Sequence, residues 1–361
     1  MSQELVASAV AAIFDPILHR PIGELGVVRS VEVSRRGAAR VKLALTVPDH
    51  PSQHVLHDAV VEAAASVAGV KGVSVDFELM SDEERAALME RLLPEKKIVG
   101  QGATQTRVIG VASGKGGVGK SSVTTNLAVA LAGLNYSVGV IDADVWGYSI
   151  PKMLGVGPVP VVIHESIIPP EAYGVKAMSM DFFVGEEKAV IWRGPMLHKA
   201  IEQFLSDVFW DDPDFILVDM PPGTGDIAIS LSQFLPRAQM IIVTTPQITA
   251  QRVAKRSAMM AQQVNQEVMA VVENMSWFTG DDGKRYDIFG SGGGAALAKE
   301  LDVPLLAQIP LLPAMREGAD QAKPLVAVAP DSEAAETFVQ LAKSVVSLRP
   351  RVRTHPELVI N

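Results

Sequence analysis

A glycine-rich segment at residues 113–122, SGKGGVGKSS, constrains the fold of this chain more than any other feature. It directly follows an apolar run of strand length and satisfies the pattern G-x-x-x-x-G-K-[ST] with Gly114, Gly119, Lys120 and Ser121. Glycines allow successive backbone N–H groups to turn towards one point, and a helix that begins at Lys120 adds its positive end there. The segment therefore predicts a phosphate-binding loop between a strand and a helix. The residues expected to line the phosphates are Gly114, Lys115, Gly116, Gly117, Val118, Gly119, Lys120, Ser121 and Ser122.

Two side chains of this segment have predicted chemical roles. The Lys120 ammonium is expected to contact the β- and γ-phosphates of a nucleotide, and the Ser121 hydroxyl is expected to ligate Mg²⁺. Lys115 is not required by the general pattern, and a solvated loop lysine is its alternative interpretation. The alternative for the whole segment is a glycine-rich turn with an exposed lysine, but a complete motif between a strand and a helix favours the phosphate site.

Carboxylates end two further apolar runs. The run VGVIDAD places Asp142 and Asp144 two residues apart, hence on one face of an extended chain, and FILVD ends at Asp219. Open α/β sheets bind ligands at the carboxyl ends of their strands, so we expect these groups beside the glycine-rich segment. A magnesium ion held by Ser121, Asp142 and Asp219, partly through water, would offset the cost of their burial. Asp144 is expected to orient the water that attacks the γ-phosphate in nucleotide hydrolysis.

The loops that follow these carboxylates carry the residues of two predicted switches. In the loop after Asp219, Gly223 and Gly225 give the backbone freedom to respond to a γ-phosphate. Asp226 has two interpretations, a residue of this switch or the N-cap of the next helix.

Apolar runs and helical stretches divide the chain into four parts. Residues 1–93 show a β-β-α-β order, which is typical of a small α+β domain, and residues 94–106 have the polar and glycine content of a linker. In residues 107–347, apolar runs alternate with helices, which predicts an α/β fold with a doubly wound, mostly parallel sheet. The tail, residues 348–361, has two prolines and no amphipathic stripe.

Composition excludes several classes of protein. The chain has no cysteine, so disulfides, thiolate zinc sites and cysteine nucleophiles are excluded. A net charge of −9 argues against a nucleic-acid binder that works by neutralising phosphates. No apolar run is long enough for a transmembrane helix, and the first Lys or Arg is Arg20, so we expect no membrane span and no secretory or transit signal. A cytoplasmic protein is the expectation.

The segments GKGGVGKSSVTTNLA, WRGPM, VDMPPGTGD, VVENMSWF and IPLLPAMREGAD resemble those of the Mrp/ApbC branch of the deviant P-loop ATPases. The N-terminal residues, with Asp15-Pro16 and the segment LTVP, resemble the small iron–sulfur-assembly domain often fused in front of such proteins. The resemblance implies a P-loop NTPase domain in a magnesium-dependent homodimer that binds and slowly hydrolyses ATP. It also implies that the protein carries iron–sulfur clusters to apoproteins, with iron–sulfur assembly proteins as partners.

The resemblance assigns roles to further residues. In the family signature KGGxGK[ST], the early lysine, here Lys115, crosses a homodimer interface to reach the partner's nucleotide. Lys115, Lys120 and Asp144 are the implied catalytic residues. Asn274 and the loop from Pro310 to Arg316 would contact the base.

The sequence departs from the family at the cluster ligands. In better-known members a C-x-x-C pair just after the ENM segment bridges the cluster, and the corresponding stretch here, Phe278–Tyr286, contains no cysteine. His50 stands where the small domain has its usual cysteine. Because thiolate is the standard iron–sulfur ligand, this chain cannot hold a cluster in the family's usual manner.

Histidine is the remaining candidate for a metal or cluster ligand. His50, His54 and His57 are spaced by four and three residues, so on a helix they could share one face, with Asp49 adjacent. Imidazole ligates iron and zinc. The alternative interpretation is a set of solvated histidines on a polar helix surface.

A second functional class shares the nucleotide motifs, namely the positioning proteins or adaptors of the ParA and MinD type. MinD-like membrane attachment needs a basic amphipathic C-terminal helix, which the proline-broken tail does not offer. ParA-like DNA attachment needs a basic face, which a net charge of −9 disfavours. The iron–sulfur assembly ATPase is therefore the preferred hypothesis.

Overall fold

The structure, a computed structural model, describes residues 2–48, 50–93, 98–101, 105–144, 147–157, 159–183, 194–223 and 226–349. The chain divides into two compact units. The first comprises Met1–Lys96, Pro160–Ile168 and Asp207–Phe209, and the second comprises Lys97–Val159, Pro169–Ser206 and Trp210–Asn361. None of the helices in the described part of the chain is long and apolar enough to cross a membrane.

The helices of the described residues alternate with strands along most of the chain. They are α1 (Ser2–Ala11), α2 (Gln53–Ala65), α3 (Asp82–Leu92), α4 (Lys120–Gly133), α5 (Ile150–Leu154), α6 (Gly194–Ser206), α7 (Asp226–Phe234), α8 (Ile248–Gln263), α9 (Gly293–Leu301), α10 (Pro313–Asp320), α11 (Leu325–Val328) and α12 (Glu333–Ser347). A short 3₁₀ helix spans Met180–Phe183.

The strands are mostly short and apolar. They are β1 (Val28–Val33), β2 (Ala38–Leu45), β3 (Gly72–Leu79), β4 (Arg107–Ser113), β5 (Val138–Asp142), β6 (Val161–Ile163), β7 (Ser166–Ile168), β8 (Glu171–Ala172), β9 (Val175–Ser179), β10 (Phe215–Asp219), β11 (Gln239–Thr244), β12 (Glu267–Glu273), β13 (Phe278–Thr279), β14 (Arg285–Tyr286) and β15 (Leu305–Gln308).

The first unit contains a three-stranded sheet with helices packed on one face. β2 lies in the middle, antiparallel to β1 and parallel to β3. Ala39, Val41 and Leu43 of β2 are buried while the residues between them are exposed, which is the period-two pattern of a sheet with one covered face. The core residues that α1 and α2 contribute are Val6, Val10, Leu56, Val60 and Ala64. The predicted β-β-α-β order is confirmed.

A hairpin from later in the chain adds to this core. β6 and β7 pair antiparallel, and Ile163 and Ile168 are buried in the same hydrophobic cluster as Val41 and Leu43. Sequence analysis missed this hairpin because its strands are three residues long, too short for alternation of apolar and polar residues to be read.

The second unit is built on an eight-stranded sheet in the order β15-β12-β11-β4-β10-β5-β9-β8. Neighbouring strands from β15 to β9 are parallel, and β8 pairs antiparallel with β9. Every residue of β5, β10 and β11 is buried, as expected for a parallel sheet covered on both faces. The predicted α/β fold with a mostly parallel sheet is therefore confirmed.

Polar residues stand at the carboxyl ends of three adjacent strands of this sheet. β4 ends at Ser113, β10 at Asp219 and β5 at Asp142. Asp219 is paired in register with Asp142 on one side and with Val111 on the other. The strand order thus brings the predicted acidic residues to the edge of the sheet where the glycine-rich segment begins.

Candidate functional site

The glycine-rich segment forms a loop between β4 and α4. Gly117 and Gly119 each have φ of +79°, in the left-handed region that favours glycine. A Cβ at Gly119 would lie 2.2 Å from Asn274 Nδ2, and a Cβ at Gly114 would lie 2.2 Å from the backbone carbonyl carbon of Val253. Backbone conformation and close packing both require glycine in this loop.

The loop borders a cavity of about 380 Å³, which is within the usual range for small-molecule sites. Asp144, Gly147, Met153 and Pro222 line it from other segments of the chain. The cavity lies at the start of α4, where backbone N–H groups and the helix dipole favour an anion. The predicted phosphate-contacting residues that line it are Lys115, Gly116, Gly117, Gly119, Lys120, Ser121 and Ser122.

The Lys120 ammonium lies between two carboxylates. Its Nζ is 2.6 Å from Asp219 Oδ2, 3.5 Å from Asp144 Oδ2 and 3.4 Å from Ser121 Oγ. Lys120 is only 6% exposed, and a buried ammonium requires an opposite charge because the desolvation of an unpaired ion is costly. Asp219 and Asp144 supply that charge.

Asp219 is fully buried, and both of its oxygens accept hydrogen bonds. Oδ2 accepts from Ser121 Oγ at 2.6 Å, and Oδ1 accepts from Thr124 Oγ1 at 2.8 Å. Thr124 was not among the predicted site residues, although its place three positions after Ser121 on one helix face is a signal that could have found it. A hydroxyl and a carboxylate are hard oxygen donors of the kind that Mg²⁺ prefers, so Ser121 and Asp219 fit the predicted ion.

Asp142 lies beside Asp219 because their strands are paired in register. Its Oδ1 accepts from the Asp144 N–H at 3.2 Å, and its Oδ2 accepts from the N–H groups of Ser149 and Ile150 at 3.1 and 3.2 Å. Burial, followed by the negative charge of Asp219, raises the pKa of Asp142 to about 7, and the three amide hydrogen bonds oppose this shift. A contact of Asp142 with Mg²⁺ stays a prediction.

Lys115 is partly buried and contacts a neighbouring segment of the same chain. Its Nζ donates a hydrogen bond to Gln247 Oε1 at 3.0 Å, and Gln247 is the N-cap residue of α8. Sequence analysis did not single out Gln247, because no local pattern connects residues 132 positions apart. The predicted action of Lys115 on a second copy is not tested by this contact.

The residues predicted to contact a base are absent from the described lining of the cavity. Asn274 is 3% exposed and donates from Nδ2 to the Val118 carbonyl at 2.9 Å, so it supports the loop from behind. Pro310 is buried, and Arg316 is exposed and paired with Asp320 at 3.2 Å. Their contact with a base is still a prediction.

The three histidines do not share a helix face, and that prediction is wrong. His50 precedes α2, because the residue before a proline, here Pro51, is biased away from the helical conformation. His50 is buried, His54 is exposed and His57 is partly exposed. The described residues contain no group of three or more His, Cys, Asp or Glu side chains that could hold a metal ion, and Asp49 lies outside them.

The buried His50 faces Asp15 in the first unit. Its Nε2 lies 4.0 Å from Asp15 Oδ2, which is beyond hydrogen-bond distance. Its Nδ1 accepts the N–H of Ser52 at 3.3 Å, so in the neutral ring Nε2 carries the proton and has no lone pair for a metal. Burial lowers the pKa of His50, and the charge of Asp15 opposes this shift.

The stretch Phe278–Tyr286, where the resemblance implies a C-x-x-C pair, contains a small hairpin of β13 and β14. The Arg285 guanidinium lies over the Trp277 ring at 4.2 Å and pairs with Glu333 at 2.8 Å. The Tyr286 hydroxyl donates to Asp282 at 2.9 Å. Cation–π, ion-pair and hydrogen-bond contacts thus stabilise this segment without a thiolate.

One residue of the predicted switch loop cannot be placed, because Gly225 lies outside the described residues. Asp226 is the first residue of α7, and both interpretations of it are untested.

A mostly parallel doubly wound sheet, a glycine-rich loop and acidic strand ends define the class of P-loop NTPases. The model of the NUBPL iron-transfer P-loop NTPase family matches residues 104–346, and the model described as iron–sulfur cluster assembly protein matches residues 3–77. The first match covers more than half of the chain. The protein belongs to the NUBPL iron-transfer P-loop NTPase family.

Individual relatives agree with this assignment. The iron–sulfur cluster carrier protein of Mycobacterium leprae is 43% identical in an alignment of 357 residues that covers 96% of this chain and 93% of that protein. A nucleotide-binding protein of Archaeoglobus fulgidus, solved with ADP, is 30% identical with a TM-score of 0.56 and covers 72% of this chain and 97% of its own. The septum site-determining protein MinD of Pyrococcus horikoshii, solved with Mg-ADP, is 27% identical with a TM-score of 0.51 and covers 67% and 96%.

Proposed function

We propose that the protein binds and hydrolyses ATP with Mg²⁺ and serves the assembly of iron–sulfur clusters. The observation that carries the proposal is the buried Lys120 ammonium, which lies between Asp219 and Asp144 at the cavity wall. The relatives named as cluster carriers and the neighbours solved with ADP support the two parts of the proposal.

Each residue of the site then has a defined task. Lys120 turns from the carboxylates to the β- and γ-phosphates, whose remaining oxygens accept from the loop amides. Ser121 and Asp219 hold Mg²⁺, which supplies positive charge against the transferred phosphoryl group. Asp144 accepts a hydrogen bond from the attacking water and orients it.

The active form in this proposal is a homodimer in which Lys115 acts on the partner's nucleotide. The KGGVGKS signature supports this role. To reach a second copy, Lys115 must break its hydrogen bond with Gln247. That contact is one hydrogen bond with a neutral acceptor, whose net contribution is about 0.5–1.5 kcal/mol, or somewhat more because the donor is charged. The release of Lys115 therefore costs little against the charge it would neutralise.

The iron–sulfur cluster is cargo that partner proteins hold. The chain has no cysteine, and the described residues offer no cluster of metal ligands. Thiolates of assembly proteins or of recipient apoproteins supply the cluster ligands in this proposal. The contribution of this chain is binding and release of those partners in step with its nucleotide.

ATP binding and turnover of wild type, Lys120→Ala and Asp144→Ala test the nucleotide part. Lys120→Ala should lose productive ATP binding, because the phosphates lose their buried cation. Asp144→Ala should bind ATP normally and stop turnover, since only the attacking water loses its partner. Loss of binding and turnover together in Asp144→Ala would contradict the role assigned to it.

Anaerobic reconstitution of the purified protein with iron and sulfide tests the cargo part. We expect no stoichiometric iron or sulfide per dimer, with ATP binding retained. Stoichiometric iron with sulfide would show that histidine or carboxylate ligands replace the thiolates and would refute the assignment of the cluster to partners.

A further inference from the structure

The Asp142 carboxylate accepts hydrogen bonds from several groups of this chain, and a role as metal ligand does not account for them. Its three amide partners, Asp144, Ser149 and Ile150, all belong to the segment that follows β5. A fourth donor, Ser179 Oγ at the end of β9, lies 3.4 Å from Oδ2. Asp142 is 0% exposed, so these groups replace water around its oxygens. Oδ2 thus faces three of these donors and Oδ1 faces one.

The start of α5 shows why the segment needs this carboxylate. The Ile150 N–H is among the first amides of a helix, which have no partner within the helix. A capping side chain normally accepts such amides, but Ser149 makes no side-chain capping hydrogen bond, and its Oγ has no hydrogen-bond partner among the described residues. Asp142 Oδ2 accepts the amides of both residues, so it caps α5 from a neighbouring strand.

We propose that Asp142 is a positioning residue that holds Asp144 at the cavity wall by anchoring the segment between β5 and α5 at both ends. Oδ1 fixes the point where the chain leaves β5, and Oδ2 fixes the point where it enters α5. Asp144 stands at the first of these points, with its own carboxylate 3.5 Å from the Lys120 ammonium. The effect on turnover rests on the proposed function, whereas the anchoring itself does not.

The alternative role for Asp142, a contact with Mg²⁺ through water, predicts a different kinetic change. Loss of a metal contact raises the Mg²⁺ concentration needed for half-maximal turnover. Loss of an anchor lowers kcat, because Asp144 is misplaced, and leaves the Mg²⁺ requirement and the KM for ATP unchanged.

Asp142→Asn in the full-length chain tests the anchor. The amide group keeps one acceptor oxygen and replaces the other with an NH₂ donor, so one end of the segment loses its acceptor whichever way the group turns. Asparagine also removes one of two adjacent buried carboxylates, so repulsion falls and the variant should fold, which near-ultraviolet circular dichroism checks. Ser179→Ala is the control, since it removes the donor at 3.4 Å and the acceptor of the Asp181 N–H at 3.2 Å but leaves the three amide partners of Asp142 in place.

Hydrogen exchange without nucleotide gives the first readout. In Asp142→Asn the amides of Asp144, or those of Ser149 and Ile150, should exchange about tenfold faster, as expected for one lost hydrogen bond. Amides of β10 should keep their rates, and Ser179→Ala should stay within about twofold of wild type. Unchanged exchange at all three amides in Asp142→Asn would overturn the proposal.

Turnover gives the second readout. We expect kcat of Asp142→Asn to fall at least about tenfold at unchanged KM for ATP and unchanged Mg²⁺ requirement, as for a misplaced catalytic group. A normal kcat, or a loss that excess Mg²⁺ restores, would overturn the positioning role. A wild-type protein without turnover would instead refute the proposed function, while faster exchange in the variant would still support the anchor.

Discussion

Two buried pairs of titratable side chains, one in each unit, differ in how many of their polar atoms have hydrogen-bond partners. In the second unit, Lys120 Nζ and Asp219 Oδ2 lie 2.6 Å apart, and two hydroxyls of α4 donate hydrogen bonds to the Asp219 oxygens. In the first unit, His50 Nε2 and Asp15 Oδ2 lie 4.0 Å apart, and Nε2 has no hydrogen-bond partner among the described residues. Burial is nearly complete in both pairs, so the difference lies in the partners.

The two pairs differ in which side chains must carry a charge. Loss of Lys120 would leave Asp219 buried without its cation, and loss of Asp219 would leave the Lys120 ammonium only the more distant Asp144 carboxylate, so Lys120 and Asp219 stabilise each other as ions. His50 avoids this requirement, since burial lowers its pKa and favours the neutral ring. Asp15 stabilises the backbone turn in which it lies, because its Oδ1 accepts hydrogen bonds from the N–H groups of Ile17 and Leu18 at 2.9 and 2.8 Å. His50, to which the resemblance assigns the place of a cysteine, therefore presents an N–H at Nε2 when its ring is neutral.

The largest expected effect is the loss of the charged pair in the second unit. Lys120→Ala leaves Asp219 fully buried beside Asp142 without a cation, and we expect the free energy of unfolding to fall by about 3–5 kcal/mol. Urea unfolding of the nucleotide-free protein measures this change. Lys115→Ala is the control, because its ammonium has a neutral partner, and its loss of stability should be only that of one hydrogen bond, about 0.5–1.5 kcal/mol. Equal losses in both variants would remove the distinction between these lysines.

A smaller loss of stability is expected when the Thr124 hydroxyl, which donates a hydrogen bond to Asp219, is removed. Thr124→Val keeps the shape of the side chain and removes the donor to Asp219 Oδ1, so stability should fall by about 1–3 kcal/mol. Thr125→Val is the matched control one residue later and nearly as buried, since among the described residues the Thr125 hydroxyl has a hydrogen bond only to the thioether sulfur of Met153, at 3.7 Å. If both variants lose the same free energy, the hydrogen bond to Asp219 does not explain the loss.

Local sequence signals were enough to predict the buried strands and the glycine-rich loop. The apolar runs that end at Asp142 and Asp219 form buried strands because both faces of a parallel sheet are covered. Two loop glycines have a backbone conformation that favours glycine. The contacts that define the site's electrostatics join distant segments. Thr124 meets Asp219 across 95 residues, and Gln247 meets Lys115 across 132, so only the strand order brings them together.

The His50–Asp15 pair of the first unit should respond to pH through His50. Because burial lowers the pKa of His50 below its ordinary 6.5, the unfolded chain binds this proton more tightly than the folded chain. The stability that the neutral ring contributes is complete above pH 6.5 and is lost as pH falls through the lowered pKa, by at most about 1.4 kcal/mol per pH unit. His50→Leu should reduce this loss.

Hydrogen exchange of core amides in β2 measures the stability of the first unit between pH 7.5 and 5, after correction for intrinsic rates. The exposed His54 provides the control, and His54→Gln should keep the pH dependence of the wild type. A steeper loss of stability in His50→Leu at low pH would mean that the folded state favours the charged ring, which would contradict the comparison between the two pairs.

The smallest effect is expected where Lys115 meets Gln247. Gln247→Ala removes one hydrogen bond of a partly buried lysine, so stability should fall by about 0.5–1.5 kcal/mol. If Lys115 leaves Gln247 to act on a second copy, the variant should instead raise turnover about two- to tenfold, because the contact no longer opposes release. Gln262→Ala, at the exposed end of α8, should leave turnover unchanged.

A double-mutant cycle decides whether Lys115 is the cause of that change. In a Lys115→Ala background, Gln247→Ala should have no further effect, since the hydrogen bond is already absent. A gain that persists in that background would place the effect of Gln247 elsewhere on α8. A fall in turnover in the single variant would show that Gln247 stabilises Lys115 in its working position, and Lys115 would then act within its own chain rather than across a dimer.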